Sequence, residues 1–366
     1  MELLINISVE DIFIITINPG STSTKIAVYR NKECIFEENI KHSAEELAPY
    51  EKITDQFEFR KQAILKRLNQ IKFDRDKVRV IMGRGGLVRP IESGVYRVNE
   101  KMKYDLVHSP IGEHASNLGG FIAENLAKEF PNAVAYITDP VVVDEMADIA
   151  RIAGHPDFKR QSVFHALNQK ATARRHSTAV GKKYEELNLI VVHLGGGISI
   201  GAHRNGRVVD VNQAIGGEGP FSPERAGSVP VIDVVRLAYS GKYTEKEFTK
   251  MLVGQGGLCA HLGTNNAYEV EQRVKNGDPH ATLIYEAMAY QVSKFIGTMA
   301  VVLKGKVDGI LITGGIAYDK WFVDKLREYA GWIGPFFIYP GENEMEALAM
   351  NAWRAIHGEV EVKEYN

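Results

Sequence analysis

Leu189 to Val211 read LIVVHLGGGISIGAHRNGRVVDV: an apolar, β-branched run, a glycine turn with His193 at its mouth, a second run, and a tight Arg204-Asn-Gly break. That order predicts strand, turn, strand and hairpin. The same order opens the chain. IFIITIN (Ile12 to Asn18) leads into the turn NPGSTSTK (Asn18 to Lys25), and KIAVYRNKECIF (Lys25 to Phe36) breaks at Arg30-Asn-Lys. One common shift puts His193 on Asn18 and Gly195 on Gly20, so the chain reads as an internal repeat, two lobes of like topology. A chance match of two short hairpins is the alternative.

Outward from these turns, Ser43 to Gln70 carries charges at helical spacing, VRVIMG (Val78 to Gly83) reads as a buried strand, and Gly85 and Gly86 mark a loop. NLGGFIAENLAKEF (Asn117 to Phe130) predicts a helix capped by Asn or Ser, and AVAYITD (Ala133 to Asp139) a strand ending at Pro140. GILITGGIAYDKWF (Gly309 to Phe322) reads as strand, double-glycine turn and helix, and EMEALAMNAWRAIHG (Glu344 to Gly358) as an amphipathic helix stopped by glycine. Hairpins mixed with strand-loop-helix units give an α/β fold with mixed sheets.

A length of 366 residues exceeds one ordinary core. The expected division is 1–156 plus 345–366 for the first lobe and 157–344 for the second, with a cleft between them. With 45% hydrophobic and 25% charged residues and a net charge of -2, the chain has no basic field for nucleic acid. Cys34 and Cys259 stand far apart, which supports neither a disulfide framework nor a thiolate metal site. The opening carries Glu2, Glu10 and Asp11 in place of a basic leader, and no apolar run is long enough to span a membrane. A soluble, unprocessed cytoplasmic protein is expected.

Backbone N–H groups are good phosphate ligands because they are fixed before binding, and glycine lets the chain approach closely. Neither turn is a P-loop, and no GxGxxG opens a helix. In the first turn Asn18 can orient a metal-bound water or a phosphate oxygen, Ser21, Thr22 and Ser23 offer hydroxyls, and Lys25 a positive charge. In the second, His193 precedes Gly195, Gly196 and Gly197. Taken singly, the first turn reads equally well as a polar hairpin in solvent and His193 as a structural histidine.

Together, NPGSTSTK and HLGGGISIGAHRNG (His193 to Gly206) resemble the two signatures of the acetate and butyrate kinase family. The likeness continues through GRGGLVRPIESGVYRVNEKM (Gly83 to Met102), EHASNLGG (Glu113 to Gly120), ITDPVVVDEM (Ile137 to Met146), FHALNQ (Phe164 to Gln169), GPFSPERAGSVP (Gly219 to Pro230) and ITGGI (Ile312 to Ile316), closer to the butyrate branch. About the first eleven residues lie outside it. The resemblance implies the duplicated ribonuclease H-like fold of actin, hexokinase and Hsp70, and transfer of the ATP γ-phosphoryl to butyrate or a similar short-chain carboxylate. An acetate, propionate or branched-acid kinase is the nearest alternative; an ATPase or sugar kinase of the same superfamily is a further one.

By the same resemblance Arg84 and Arg225 hold carboxylate and transferring phosphoryl, His165 steadies that phosphoryl with Phe164 excluding water, and His114, with His108 as competitor, is a further site histidine. Gln169 stands where the family pattern has a second histidine. Asp139 and Glu344, with Glu346 as alternative, match acids near Mg2+, with Asn18 nearby. The ATP or ADP base is expected against Gly314, Gly315 and Ile316, and His261-Leu262-Gly263 is the segment nearest the family's ribose element. A homo-oligomer, at least a dimer, is also implied.

Overall fold

The computed structural model describes residues 11–109, 112 and 114–366. The acids Glu2 and Glu10, and Glu113 of EHASNLGG, lie outside the described residues, as does nearly all of the stretch before the resemblance begins. By internal packing the chain divides into two units: 1–89, 93–141 and 343–366, and 90–92 with 142–342.

In the first unit, β1 (Phe13–Pro19), β2 (Ser23–Arg30) and β3 (Glu33–Lys41) form an antiparallel meander. β4 (Val78–Arg84) then returns parallel to β1. β5 (Val95–Arg97), β6 (Val134–Thr138) and β12 (Val362–Lys363) complete a seven-stranded sheet of order β12-β5-β6-β4-β1-β2-β3. Strands β1, β4 and β6 run parallel, so their C-terminal ends share one edge of the unit. In open sheets of this type, ligands gather at that edge.

The second unit repeats the plan. β7 (Asn188–Leu194), β8 (Ile198–Arg204) and β9 (Arg207–Val211) form the meander; β10 (Gly309–Gly314) and β11 (Phe336–Pro340) run parallel to β7, in the order β11-β10-β7-β8-β9. Asn205 and Gly206 take φ of 52° and 74° in the β8–β9 hairpin, which needs left-handed residues to match strand twist. The expected repeat is therefore present in topology. In the first turn Pro19 pairs with Thr24, whereas in the second Leu194 pairs with Ile198 across a turn one residue shorter.

Each unit buries its own core. The helices Phe57–Leu68 and Asn117–Ala127 put Ile64, Leu68, Leu118 and Ile122 against Ile15, Ile17 and Ile81 of the first sheet. The helix Pro279–Val302 lays Met288, Val292 and Ile296 on Ile190, Val192 and Ile200 of the second. Each such side chain, fully buried, contributes about 1.5–3 kcal/mol. No helix among the described residues is long and apolar enough to cross a membrane.

Three local details are set by the structure. Within Ser43 to Gln70, Ala44–Leu47 is a single capped turn, a 3-10 turn follows at Ile53–Gln56, and only Phe57–Leu68 is a sustained helix, because Pro49 interrupts the ladder. Ser116 stands at the N-cap but makes no side-chain capping bond; the Asn117 amide accepts from Leu87 N–H and donates to Leu106 O, tying the 85–88 loop in place. Phe164 packs into a small core with Val143, Val208 and Val211.

His203 on β8 is fully buried, and burial, reinforced by Lys170 and Arg174, lowers its pKa well below the usual histidine value. Tyr184 and Gln169 contact its ring nitrogens. The unfolded chain takes up this proton near pH 6.5 and the folded chain does not, so the unfolded state binds more protons and stability falls with acidification. We expect denaturant stability to drop below about pH 6.5 by up to about 1.4 kcal/mol per pH unit from this residue. The slope should be shallower in His203→Asn; an unaltered slope would remove His203 as its source.

Candidate active site

In the first unit Asn18, Arg84 and Glu344 meet at the shared strand edge. Asn18 Nδ2 donates to Glu344 Oε2 at 2.5 Å, and Arg84 Nη1 donates to Asn18 Oδ1 at 3.2 Å and to Glu344 Oε1 at 3.0 Å. Glu344 opens the helix Glu344–Ile356, where the positive end of the helix dipole favours a carboxylate. Arg84 is held by packing as well as by charge: a Cβ on Gly119 would lie 2.1 Å from Arg84 O, so the first turn of the Asn117–Ala127 helix can sit on the strand end only through glycine.

Asp139 follows Thr138, which is paired with Arg84, and holds a φ of 39°. Its Oδ1 accepts from Ser93 Oγ at 2.6 Å and Gly94 N–H at 3.0 Å. His114 Nδ1 lies 2.8 Å from Ser116 Oγ and accepts from the Ser116 N–H. The competitor His108 stacks on Tyr104 and is exposed.

The turn after β1 is held from behind by a residue that sequence reading missed. Arg60, fully buried, donates to the carbonyls of Gly20 (2.8 Å), Ser21 (3.0 Å) and Ser23 (2.9 Å), and to Thr24 Oγ1 and Gln56 Oε1. With these carbonyls drawn onto Arg60 and Thr22 O accepting from His42 N–H, the N–H groups of Ser21 and Thr22 find no acceptor among the described residues. They remain available to an anion. Lys25, expected to supply the charge, is half-exposed and lies 3.7 Å from Glu37. A signal for Arg60 existed: it continues the buried four-residue stripe of Ile64 and Leu68, where an arginine needs a polar purpose.

In the second unit the glycine turn carries two histidines and an arginine. His193 and His165 stack with centroids 3.8 Å apart and planes at 14°. His193 Nδ1 lies 2.8 Å from Asn168 Oδ1 and its Nε2 3.5 Å from Glu342 Oε1. His165, just before the helix Ala166–Ala179, has its Nδ1 2.9 Å from Ser199 Oγ. Arg225 lies against Gly197 so closely that a Cβ there would be 1.5 Å from Arg225 Nη1, which is buried and has no hydrogen-bond partner among the described residues. Burial lowers the Arg225 pKa, partly offset by Glu224. A buried guanidinium N–H without an acceptor is costly, and an incoming anionic oxygen would remove that cost.

Beside this turn lies a cavity of about 370 Å³ lined by Gly195, Gly196, Gly315, Ile316, Tyr285 and Asp319, among others. Gly314, with φ of 90°, lets β10 pass Leu194 O, which a Cβ would approach to 2.3 Å. Asn265, Asn266 and Tyr268 line the cavity, and His261 to Gly263 are not among its lining residues. The sequence-chosen residues thus collect in two places, Asn18, Arg84, Asp139 and Glu344 in one unit and His165, His193, Gly195 to Gly197, Arg225 and Gly314 to Ile316 in the other.

The comparisons with known proteins can now be placed on this geometry. The chain is 53% identical over 352 residues to butyrate kinase 2 of Clostridium acetobutylicum, covering 96% of this chain and 99% of the relative. This chain belongs to the acetokinase family. The family's own sequence model matches residues 158–328 of this acetokinase, the stretch that holds His165, the glycine turn and Arg225. Among solved structures, acetate kinase of Porphyromonas gingivalis is similar to this acetokinase with a TM-score of 0.75 at 16% identity, covering 93% of this chain and 99% of that one. A propionate kinase of Francisella tularensis gives 0.70 at 20% identity, covering 93% and 98%. A ROK family protein of Streptococcus pneumoniae gives 0.52 at 11% identity, covering 95% and 100%. The acetokinase fold is thus the duplicated α/β type that the repeat implied.

Proposed function

We propose that this chain transfers the γ-phosphoryl group of ATP to butyrate, reversibly, giving butyryl phosphate and ADP. The observation that carries the reaction type is Arg225 Nη1, a buried donor set against a bare glycine turn and left for an anion. The relative named butyrate kinase 2, alike over nearly its whole length, supplies the choice of acid.

Both reactants are anions, so the protein's task is to offset repulsion and align two oxygens. The unit containing residues 142–342 would take the nucleotide, with its base in the cavity beside Gly315 and Ile316. Arg225, His193 and the N–H groups of Gly195 to Gly197 would hold the phosphates there, with His165 donating to the transferring group. In the other unit Arg84 would hold the carboxylate, and the Ser21 to Ser23 turn and Lys25 would hold phosphate oxygens, with His114 as a further polar contact.

Among the described residues no group of three or more His, Cys, Asp or Glu side chains forms a metal cage. The carboxylates of Asp139 and Glu344 are already oriented by protein donors. That donor set suits an ion that keeps most of its waters, as Mg2+ does. Asp139, Glu344 and Asn18 would hold it, and it would supply charge neutralisation on the phosphate oxygens. We further read the protein as a cytoplasmic homo-oligomer, at least a dimer.

Acyl phosphate trapped as hydroxamate, with ATP and Mg2+ over straight and branched acids of two to five carbons, is expected with butyrate at or near the top. No hydroxamate with any of them would overturn the reaction. A peak at two or three carbons would replace the acid alone, since one methylene alters discrimination by only about 1–3 kcal/mol.

A further inference from the structure

Ser199 ends the signature HLGGGIS and is fully buried. Its Oγ lies 2.9 Å from His165 Nδ1 and 2.8 Å from Gln169 Nε2. Gln169, also fully buried, donates its second amide hydrogen to Ser199 O at 3.0 Å. That contact decides the amide's orientation, because a flipped Gln169 would set oxygen against the Ser199 carbonyl. Gln169 Oε1 therefore faces His203 Nε2 at 2.9 Å, and Nε2 must carry the proton. The remaining nitrogen, Nδ1, then accepts from Tyr184 Oη at 2.7 Å.

The same count runs forward. Ser199 Oγ accepts from the Gln169 amide, and the His165 N–H also points at it from 3.5 Å. A hydroxyl has one proton to give, and here it goes to His165 Nδ1. We propose that Tyr184, His203, Gln169 and Ser199 form a one-directional hydrogen-bond relay that holds His165 as the Nε2–H tautomer, so that its outer nitrogen is always a donor. The neighbouring His193 is held differently at Nδ1: Asn168 Nδ2 donates to Glu342 O at 3.1 Å, so Asn168 Oδ1 accepts from His193 Nδ1–H, while Glu342 Oε1 lies 3.5 Å from His193 Nε2. At Nδ1 the stacked rings thus play different parts, His165 accepting and His193 donating.

This deepens, and for its catalytic consequence rests on, the reading of His165 as a donor to the transferring phosphoryl. Ser199 and Gln169 are positioning residues in that reading. A phosphoryl oxygen offers only lone pairs, and a ring free to exchange tautomers would meet it with a lone pair part of the time.

The test is a two-bond proton–nitrogen correlation spectrum of full-length protein labelled with ¹⁵N-histidine, with His165 assigned by its loss in His165→Gln. Wild type should show His165 protonated at Nε2. In Gln169→Leu the serine hydroxyl is no longer committed, and the His165 nitrogens should move toward tautomer-averaged positions. In the same variant kcat should fall at least about 10-fold, with KM for ATP and butyrate within about 2-fold. Should Gln169→Leu fail to fold, Ser199→Ala, which removes one hydroxyl, is read the same way, and Ser199→Thr should restore both signals. A wild-type His165 protonated at Nδ1 overturns the relay, as does a spectrum and kcat unchanged in both variants. Averaged tautomers with unchanged kcat would uphold the relay and overturn the catalytic role of His165.

Discussion

Arg225→Ala is expected to lower kcat by roughly three orders of magnitude or more while moving KM for ATP by less than about 3-fold. The reason is the geometry of one nitrogen. Arg225 Nη1 is buried against Gly197 without a partner among the described residues, so its hydrogen bond is made only when an anionic oxygen arrives. Charge on the transferring phosphoryl grows toward the transition state, and a dry, fixed guanidinium is worth most there. In the proposed function, ground-state nucleotide binding would draw mainly on the glycine N–H groups and the cavity walls. Arg225→Lys should recover little, since an ammonium lacks the planar fork. Steady-state kinetics with butyrate as acceptor measures this, and a variant with near wild-type turnover would end the assignment of Arg225 to the transferring group.

Arg60→Met should cost stability and phosphate affinity together. Methionine fills much of the same volume but leaves the carbonyls of Gly20 and Ser21 without the Arg60 donor and takes one of two donors from Ser23 O. Ser23 O keeps its bond from Gly20 N–H and Ser21 is exposed to water, so a loss of about 1–3 kcal/mol is expected in denaturant unfolding. The Ser21 and Thr22 amides also lose the anchor that orients them, and KM for ATP should rise at least about 10-fold. All of Arg60's hydrogen-bond partners are neutral oxygens, so its charge acts on the turn without a carboxylate to mask it. Arg60→Lys keeps the charge and loses the fork, and should fall between. Unchanged stability and unchanged KM in Arg60→Met would show that the turn holds itself.

The parts of this molecule that were legible in sequence are those governed by local periodicity and backbone sterics. Both meanders announced themselves by apolar runs around glycine turns, and Arg204-Asn-Gly by a hairpin that needs left-handed residues. Arg84, Asp139 and Asn18, singled out through motif resemblance, sit at or just past strand ends, where short motifs keep their register. Lys25 is conspicuous by its charge in NPGSTSTK, and the register of β2 and β3 brings it near Glu37.

By itself, then, the sequence determined the opening meander of each repeat and its glycine turn, because these depend on residues a few positions apart. Tertiary structure alone decided that Arg60 reaches back to the Gly20 to Ser23 carbonyls, that Arg225 lies under Gly197, and that Ser199 faces Gln169 and His165. Those pairs are distant in sequence, and which buried donor meets which acceptor is set by how helices pack on sheets, a matter of shape that local pattern does not carry.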